Sequence, residues 1–497
     1  MKKIRQTFYY NGTFTAPTGV KYVTVYGVKY PPAPISGLAG FFIDSFGALH
    51  SYGSNTVGQL GDGTSVSKSS PVAVVGGLSF ASLHYTLSTT YGITTSGDLY
   101  SWGNNSSGQL GDGTTTNRSS PVAVVGGLKF QKVICGSSAL CAWGLTPAGT
   151  LYAWGDNTNG ELGDNTVVAK SSPIAVSGGL TFTDITFVSS TGIIGITNTG
   201  AAYAWGVNTN GNIGDGTTTN RSSPTAVLGG LVFTKIVCTG SISAASVMGL
   251  TSSGAAYGWG YNADGRLGVG DTTPRSSPVA VLGGLSFTDI YAGGFNASTG
   301  GNFYLQTTDG TIYSIGNNLS GELGVGDNNA RSSPVAVVGG LTFKQLYTGT
   351  SGGRIGLTTT GAAYGWGDNT AGNLGVGDNN ARSSPVAVVG GLSFTRLTTM
   401  FVGAFQNSGA YTANGQLYTW GSNTSGQLGD GTTNNRSSPV AVLGVFLPNV
   451  GETIVSKLIT VTPGNTYAVN IQQYNGQFGL ETLGPGPYDY IVVEYSN

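Results

Sequence analysis

The sequence predicts an all-β chain built as a ring of small antiparallel sheets, and three observations carry that prediction. A Ser-Ser-Pro landmark recurs eight times, at Pro71, Pro121, Pro173, Pro224, Pro278, Pro334, Pro385 and Pro439, with a period of 50 to 56 residues. A Gly-x-(Leu/Ile)-Gly turn precedes each one, beginning at Gly58, Gly108, Gly160, Gly211, Gly265, Gly321, Gly372 and Gly426. Each unit also reads as four short β segments. A fixed period of this size means that a unit is too small to bury its own apolar face and stacks on its neighbours. Four short antiparallel strands per unit, repeated radially, make a β-propeller blade.

The first 28 residues are a separate β piece. Residues 8–10 and 13–15 flank Asn11-Gly12, a dipeptide suited to a tight hairpin turn with positive φ, and residues 20–28 alternate as a strand. Pro31, Pro32 and Pro34 then remove ladder donors, which puts the boundary at Lys29. In the unit over 126–176 the first strand holds Phe130 and Val133, and the second ends at Leu145-Thr146. The third is 150–154, and the fourth is the Ser-Ser-Pro segment, whose proline stands at a strand start where it need not donate. After Pro448 the repeat is lost, and 453–462, 467–472 and 488–495 read as strands between Pro-Gly-Asn and Asn-Gly turns. Tyr30, Ile43 and Gly47 fall at the offsets of Phe80, Ile93 and Gly97, which favours eight blades. The degenerate first unit leaves seven open. A closed ring brings its ends together, so the expected organisation is a propeller over 29–446 inserted in a small β-sandwich-like domain made of 1–28 plus 447–497.

Asn105, Gly108, Gln109, Leu110, Gly111, Gly113, Pro121 and Val124 resemble the repeat of the regulator of chromosome condensation family, a resemblance that extends over roughly 29–444. It implies a propeller, usually of seven blades. The two ends resemble the glycine-rich, tail-fibre-like β-domain of bacteriophage virion proteins. The matching residues are Gly12 to Val20, then Val461, Pro463, Gly464, Tyr467 and Val469, and a final strand at 491–495. That resemblance implies a virion component, assembled in a host cytoplasm and released by lysis.

Composition removes several function classes. With 21 basic against 22 acidic residues there is no electrostatic footprint for nucleic acid. No 18-residue apolar run occurs, so no membrane insertion is expected. Cys135, Cys141 and Cys238 lack metal-ligand spacing, and His50 and His84 have no nucleophile motif beside them. No catalytic residue, cofactor or metal is expected.

Regular features of the repeat read as structural. Trp102, Trp154, Trp205, Trp259, Trp366 and Trp420 close the third strand, with Tyr52 and Ile315 at the two other places, a pattern of packing between units. Each unit carries one base before Ser-Ser-Pro, namely Lys68, Arg118, Lys170, Arg221, Arg275, Arg331, Arg382 and Arg436. Each carries one acid after its glycine turn: Asp62, Asp112, Asp164, Asp215, Asp271, Asp327, Asp378 and Asp430. One acid per loop is too few for a calcium shell and fits an ion pair within the loop.

The repeats differ most between their first and second strands, and such connectors collect on one face of a propeller. They contribute Tyr85, Tyr91, Trp143, Phe187, Tyr291, Phe295, Phe303, Tyr304, Tyr347, Arg354, Phe401 and Phe405. Aromatics and an arginine on an uncharged face are what a binding surface uses. The leading expectation is a bacteriophage tail-fibre, receptor-binding or surface decoration protein, whose propeller face binds a host-surface glycan or protein or another virion protein. A homo-oligomer is left open. The alternative is a bacterial propeller that binds or inhibits a protein partner.

Overall fold

The computed structural model describes residues 49–446 except 87, 136–139, 189–191, 241–243, 295–300, 349–351, 399–406, 414–415, 424–427, 429 and 431, together with terminal strands. Those strands are Lys3–Phe8, Gly12–Thr15, Tyr22–Val28, Ala39–Ile43, Lys457–Thr460, Thr466–Val469 and Tyr490–Ser496.

The chain is all-β, with seven four-stranded repeat sheets in which sequence neighbours pair antiparallel. A further repeat sheet, at the start, has three described strands, Ala39–Ile43, Leu49–Gly53 and Lys68–Ala73. These seven to eight sheets have the organisation of a propeller. The unit chosen as specimen folds as Lys132–Ile134, Cys141–Leu145, Leu151–Gly155 and Lys170–Ala175.

Why these residues make these strands is visible at the turn between the second and third. Thr94 N donates to Asp98 O at 2.9 Å and Gly97 N to Thr94 O at 2.9 Å, which closes a hairpin. The fourth strand meets the third through a break in register, between Arg118 and Val122 in one sheet. That irregularity lies where the Ser-Ser-Pro proline withholds its donor.

First strands of successive sheets lie side by side. They are Phe80–Tyr85, Lys132–Ile134, Phe182–Phe187, Phe233–Thr239, Phe287–Gly293, Phe343–Thr348 and Phe394–Thr398. Second strands are buried on both faces: every residue of Thr89–Thr94, Gly192–Thr197, Ser246–Thr251 and Gly353–Thr358 is buried. Apolar clusters therefore form between sheets, as where Trp259 of one packs with Ile194, Ile196 and Ile213 of the preceding one.

Strands from the two ends of the chain pair with each other. Tyr490–Ser496 lies between Lys3–Phe8 and Tyr22–Val28, antiparallel to both, and Lys457–Thr460 extends the sheet along Tyr22–Val28. Gly12–Thr15 pairs with Thr466–Val469 in a second, two-stranded sheet.

Candidate functional site

The repeated landmarks are consumed in joining each sheet to the next. Trp102 Nε1 donates to Gln59 O at 2.9 Å, Trp154 to Gln109 O at 2.8 Å and Trp205 to Glu161 O at 2.9 Å. Trp259, Trp366 and Trp420 do the same to Asn212, Glu322 and Asn373. Each acceptor is the variable residue of the glycine turn in the preceding unit, so a buried indole keeps its one donor satisfied. The turn needs glycine for closeness as well as conformation. A Cβ on Gly111, at φ +69°, would stand 2.9 Å from Trp154 Nε1, and one on Gly108 would stand 2.7 Å from Ser171 Cα. Gly113 N then donates to Ser171 O at 2.8 Å, which clamps the Ser-Ser-Pro strand of one sheet to the loop of its neighbour.

A buried asparagine organises each loop. Asn105 Oδ1 accepts from Leu110 N at 2.9 Å, while Nδ2 donates to Thr114 O and Thr116 O, both at 3.1 Å. Asn55, Asn157, Asn208, Asn262, Asn318, Asn369 and Asn423 are buried at the same place. The expected ion pairs are present in all eight loops, from Arg221–Asp215 at 2.5 Å to Lys170–Asp164 at 3.6 Å. Among the described residues no group of three His, Cys, Asp or Glu could hold a metal.

The sequence-derived binding residues separate into three groups. Tyr91, Trp143, Tyr304 and Arg354 are interior, which corrects their expected place on an exposed face. Tyr91 Oη donates to Gln109 O at 2.7 Å, Trp143 Nε1 to Glu161 O at 3.1 Å and Tyr304 Oη to Glu322 O at 2.7 Å. Those carbonyls each take a second donor from the next sheet's indole. Arg354 Nε donates to Tyr304 Oη at 2.6 Å and Nη2 to Asn302 Oδ1 at 2.9 Å. Phe303 is buried as well. The reason is that these residues lie within second strands, which have a neighbouring sheet on both faces.

Tyr85, Phe187, Tyr291 and Tyr347 form the second group, half-buried at or near the ends of first strands. Tyr85 lies 5.0 Å from the Phe41 ring, and Tyr291 Oη donates to Gln306 Oε1 at 3.0 Å. Phe295, Phe401 and Phe405 lie outside the described residues.

The sequence reading missed how titratable groups pair on first strands. Lys132 pairs with Asp184 at 2.6 Å and Lys235 with Asp289 at 2.5 Å, each across neighbouring sheets. The signal was available, because these residues share one offset from the Gly-Gly-Leu-x-Phe that opens each unit. His84 Nε2 is 3.1 Å from Cys135 O and 3.2 Å from Cys135 N, so its tautomer decides which bond forms. Burial pushes its pKa down, against the Cys135 backbone bond, and Lys132 adds to the depression. Burial pushes all three thiols up, which keeps them protonated and unreactive. Cys135 and Cys141 belong to clusters on opposite faces of their sheet.

Comparison with known proteins agrees with this geometry. Residues 96–143, 148–190, 199–246, 253–297, 360–407 and 414–469 match the family model of the Regulator of chromosome condensation (RCC1) repeat. The human E3 ubiquitin-protein ligase HERC2 is 31% identical over 304 residues, which are 59% of this chain and only 6% of that protein. The Arabidopsis thaliana Ultraviolet-B receptor UVR8 is 28% identical over 354 residues, 69% of this chain and 76% of that one. Among solved structures, human WBSCR16 shares the fold with a TM-score of 0.50 at 17% identity, covering 76% of this chain and 96% of its own.

Proposed function

Because this chain belongs to the regulator of chromosome condensation repeat family, with repeat matches over more than half its length, we propose that it is a non-enzymatic propeller that grips a protein partner. In this reading all eight repeat sheets are blades of one ring over 29–446. The sheets that unite the two ends form a discontinuous domain, 1–28 plus 447–497, on which the ring is mounted.

The carrying observation is a division of labour within the repeat. Turn, indole, asparagine and ion pair recur to fasten sheet to sheet, whereas the segments that join first to second strands differ from unit to unit. Segments outside the repeated landmarks can vary for recognition, and Tyr85 and Phe187 are half-buried aromatics at that edge. The low charge, 9% of residues, also fits a surface that recognises through aromatic and polar contacts.

The test is a cross-linking and size-exclusion search for a single protein that forms a stoichiometric complex with the folded chain, repeated with Tyr85→Ser and Phe187→Ser. Loss of the complex in variants that still melt cooperatively supports this face, and a complex unaffected by both moves the site elsewhere. A virion role has the resemblance of the two ends behind it. It would require the chain to be found in purified particles.

A further inference from the structure

We infer that the first strands Phe343–Thr348 and Phe394–Thr398 carry a docking site for an acidic segment of a protein partner, with Lys344 and Arg396 as its cations. The inference takes its occupant from the partner-binding reading and adds the chemistry of that partner.

An alternation of charge along the first strands breaks at one junction. Two residues after the opening phenylalanine, successive first strands carry Lys132, Asp184, Lys235, Asp289, Gln345 and Arg396. Lys132 reaches Asp184 and also donates to Ile185 O at 2.9 Å. Lys235 reaches Asp289, and it lies 5.0 Å from the centre of the Tyr291 ring. Each of these two junctions is a neutral pair of one cation and one carboxylate. The third junction has no carboxylate at this place.

There the amide of Gln345 makes the connection instead. Its Oε1 accepts from Leu397 N at 2.8 Å and its Nε2 donates to Leu397 O at 3.4 Å. This ties the two strands together at the residues adjoining Lys344 and Arg396. Both cations are exposed, and among the described residues neither makes an ion pair. The neighbouring acid Asp309 is exposed, and its carboxylate is engaged within its own hairpin by Thr307 and Thr311. The junction therefore carries two positive charges where its counterparts carry none.

Arg396 is also preorganised. Its guanidinium lies 4.1 Å from the centre of the Tyr411 ring, which restricts the side chain and leaves its donors in the guanidinium plane free for a carboxylate. In a chain whose other described surface cations are matched to acids, an unmatched pair of this kind is complementary to Asp or Glu side chains supplied from outside. Two cations are too few for the counterion-release binding of a nucleic-acid backbone.

The experiment measures fluorescence anisotropy of a labelled Glu-Ala repeat peptide titrated with the full chain at low salt, with the Gln-Ala peptide and heparin as parallel probes. Glu-Ala binding that weakens as salt rises, drops about tenfold or more in Lys344→Glu/Arg396→Glu, and exceeds Gln-Ala binding supports the site. A sharper variant is Gln345→Glu, which keeps the acceptor for Leu397 N and supplies the missing carboxylate internally. It is expected to weaken peptide binding without lowering Tm. Equal binding of both peptides, no effect of the variants, or heparin binding through the same residues with higher affinity overturns the inference. The peptide assay needs no identified partner, so its failure is distinguishable from failure to find a complex.

Discussion

Two groups of loops differ in where their acid stands. In the units ending at Pro71, Pro121, Pro224 and Pro439 it lies between two glycines, as in Gly111-Asp112-Gly113, and in the unit ending at Pro173 it lies between Gly163 and Asn165, which takes the glycine's positive φ of 68°. There the carboxylate is nearly buried, with 1% of the Asp112 side chain and 3% of Asp215 accessible. In the units ending at Pro278, Pro334 and Pro385 a valine takes that place and the acid follows the second glycine, as in Gly268-Val269-Gly270-Asp271. These acids pair with an arginine four residues on and keep 40% to 46% of the side chain accessible. Both groups hang on the same buried asparagine. In the first its Nδ2 reaches the carboxylate, as Asn105 does Asp112 at 3.1 Å, whereas Asn318 is satisfied by the carbonyls of Asp327 and Asn329. The asparagine is thus the common structural element, and the ion pair is embedded in one group and superficial in the other.

The largest effect is therefore expected where the groups agree. Asn208→Ala and Asn369→Ala each strand buried backbone groups, Ile213 N and Leu374 N among them. Each should cost about 3 kcal/mol or more in urea unfolding, by similar amounts. A large inequality between the two would break the claim that the anchor is shared. Next comes the acid itself. Asp215→Asn removes the charge from bonds with Arg221 and Thr217 in a nearly closed site and should cost about 1 to 3 kcal/mol. Asp327→Asn, at an exposed pair, should leave the urea midpoint almost unchanged.

Titration tests the embedded acids further, although the carboxyls of Asp271, Asp327 and Asp378 are also held below the usual range, by bonds from the loop backbone and the paired arginine. For Asp62, Asp112, Asp164, Asp215 and Asp430 burial would raise the carboxyl pKa, but bonds from the loop threonine and the basic residue outweigh it and hold the value below the usual range. A depressed folded pKa contributes stability that is fully present above the unfolded value, about 3.9, and is lost as pH falls through the folded one. Stability should hold down to about pH 4 and decline below it. Asp215→Asn, which has already lost its share, should show a shallower decline when urea midpoints are compared from pH 5 to pH 2.5.

The eight loop ion pairs and the four-strand grammar of each unit were legible in the sequence because they depend on residues a few places apart. Calling every acid "one per loop" hid the two geometries, although Gly-Asp-Gly and Gly-Val-Gly-Asp differ on the page. The candidate face was less legible. Tyr91, Trp143, Tyr304 and Arg354 have the composition of a binding surface, and only the sheets on either side reveal that the carbonyls of Gln109, Glu161 and Glu322 or the Asn302 amide claim their donors. Contacts made one repeat away, such as Lys132 to Asp184, are visible in sequence only after the units are superposed at a common offset.

The smallest effect is that of salt. At about 1 M NaCl the screening length falls to about 3 Å, so an accessible pair such as Arg382–Asp378 loses much of its attraction, while Asp112, closed in with Thr114 and Asn105, is shielded from the added ions. An exposed pair contributes little, so the change should be no more than about twofold in local opening. Amide hydrogen exchange can resolve it, because each loop has its own reporter. Asn380 N, bonded to the Asp378 carboxylate, should exchange faster in high salt. Thr114 N, bonded to Asp112, should keep its rate. Equal acceleration at both amides would mean that the acid between glycines is no better protected than the one beyond them, and the distinction between the two loops would be one of sequence alone.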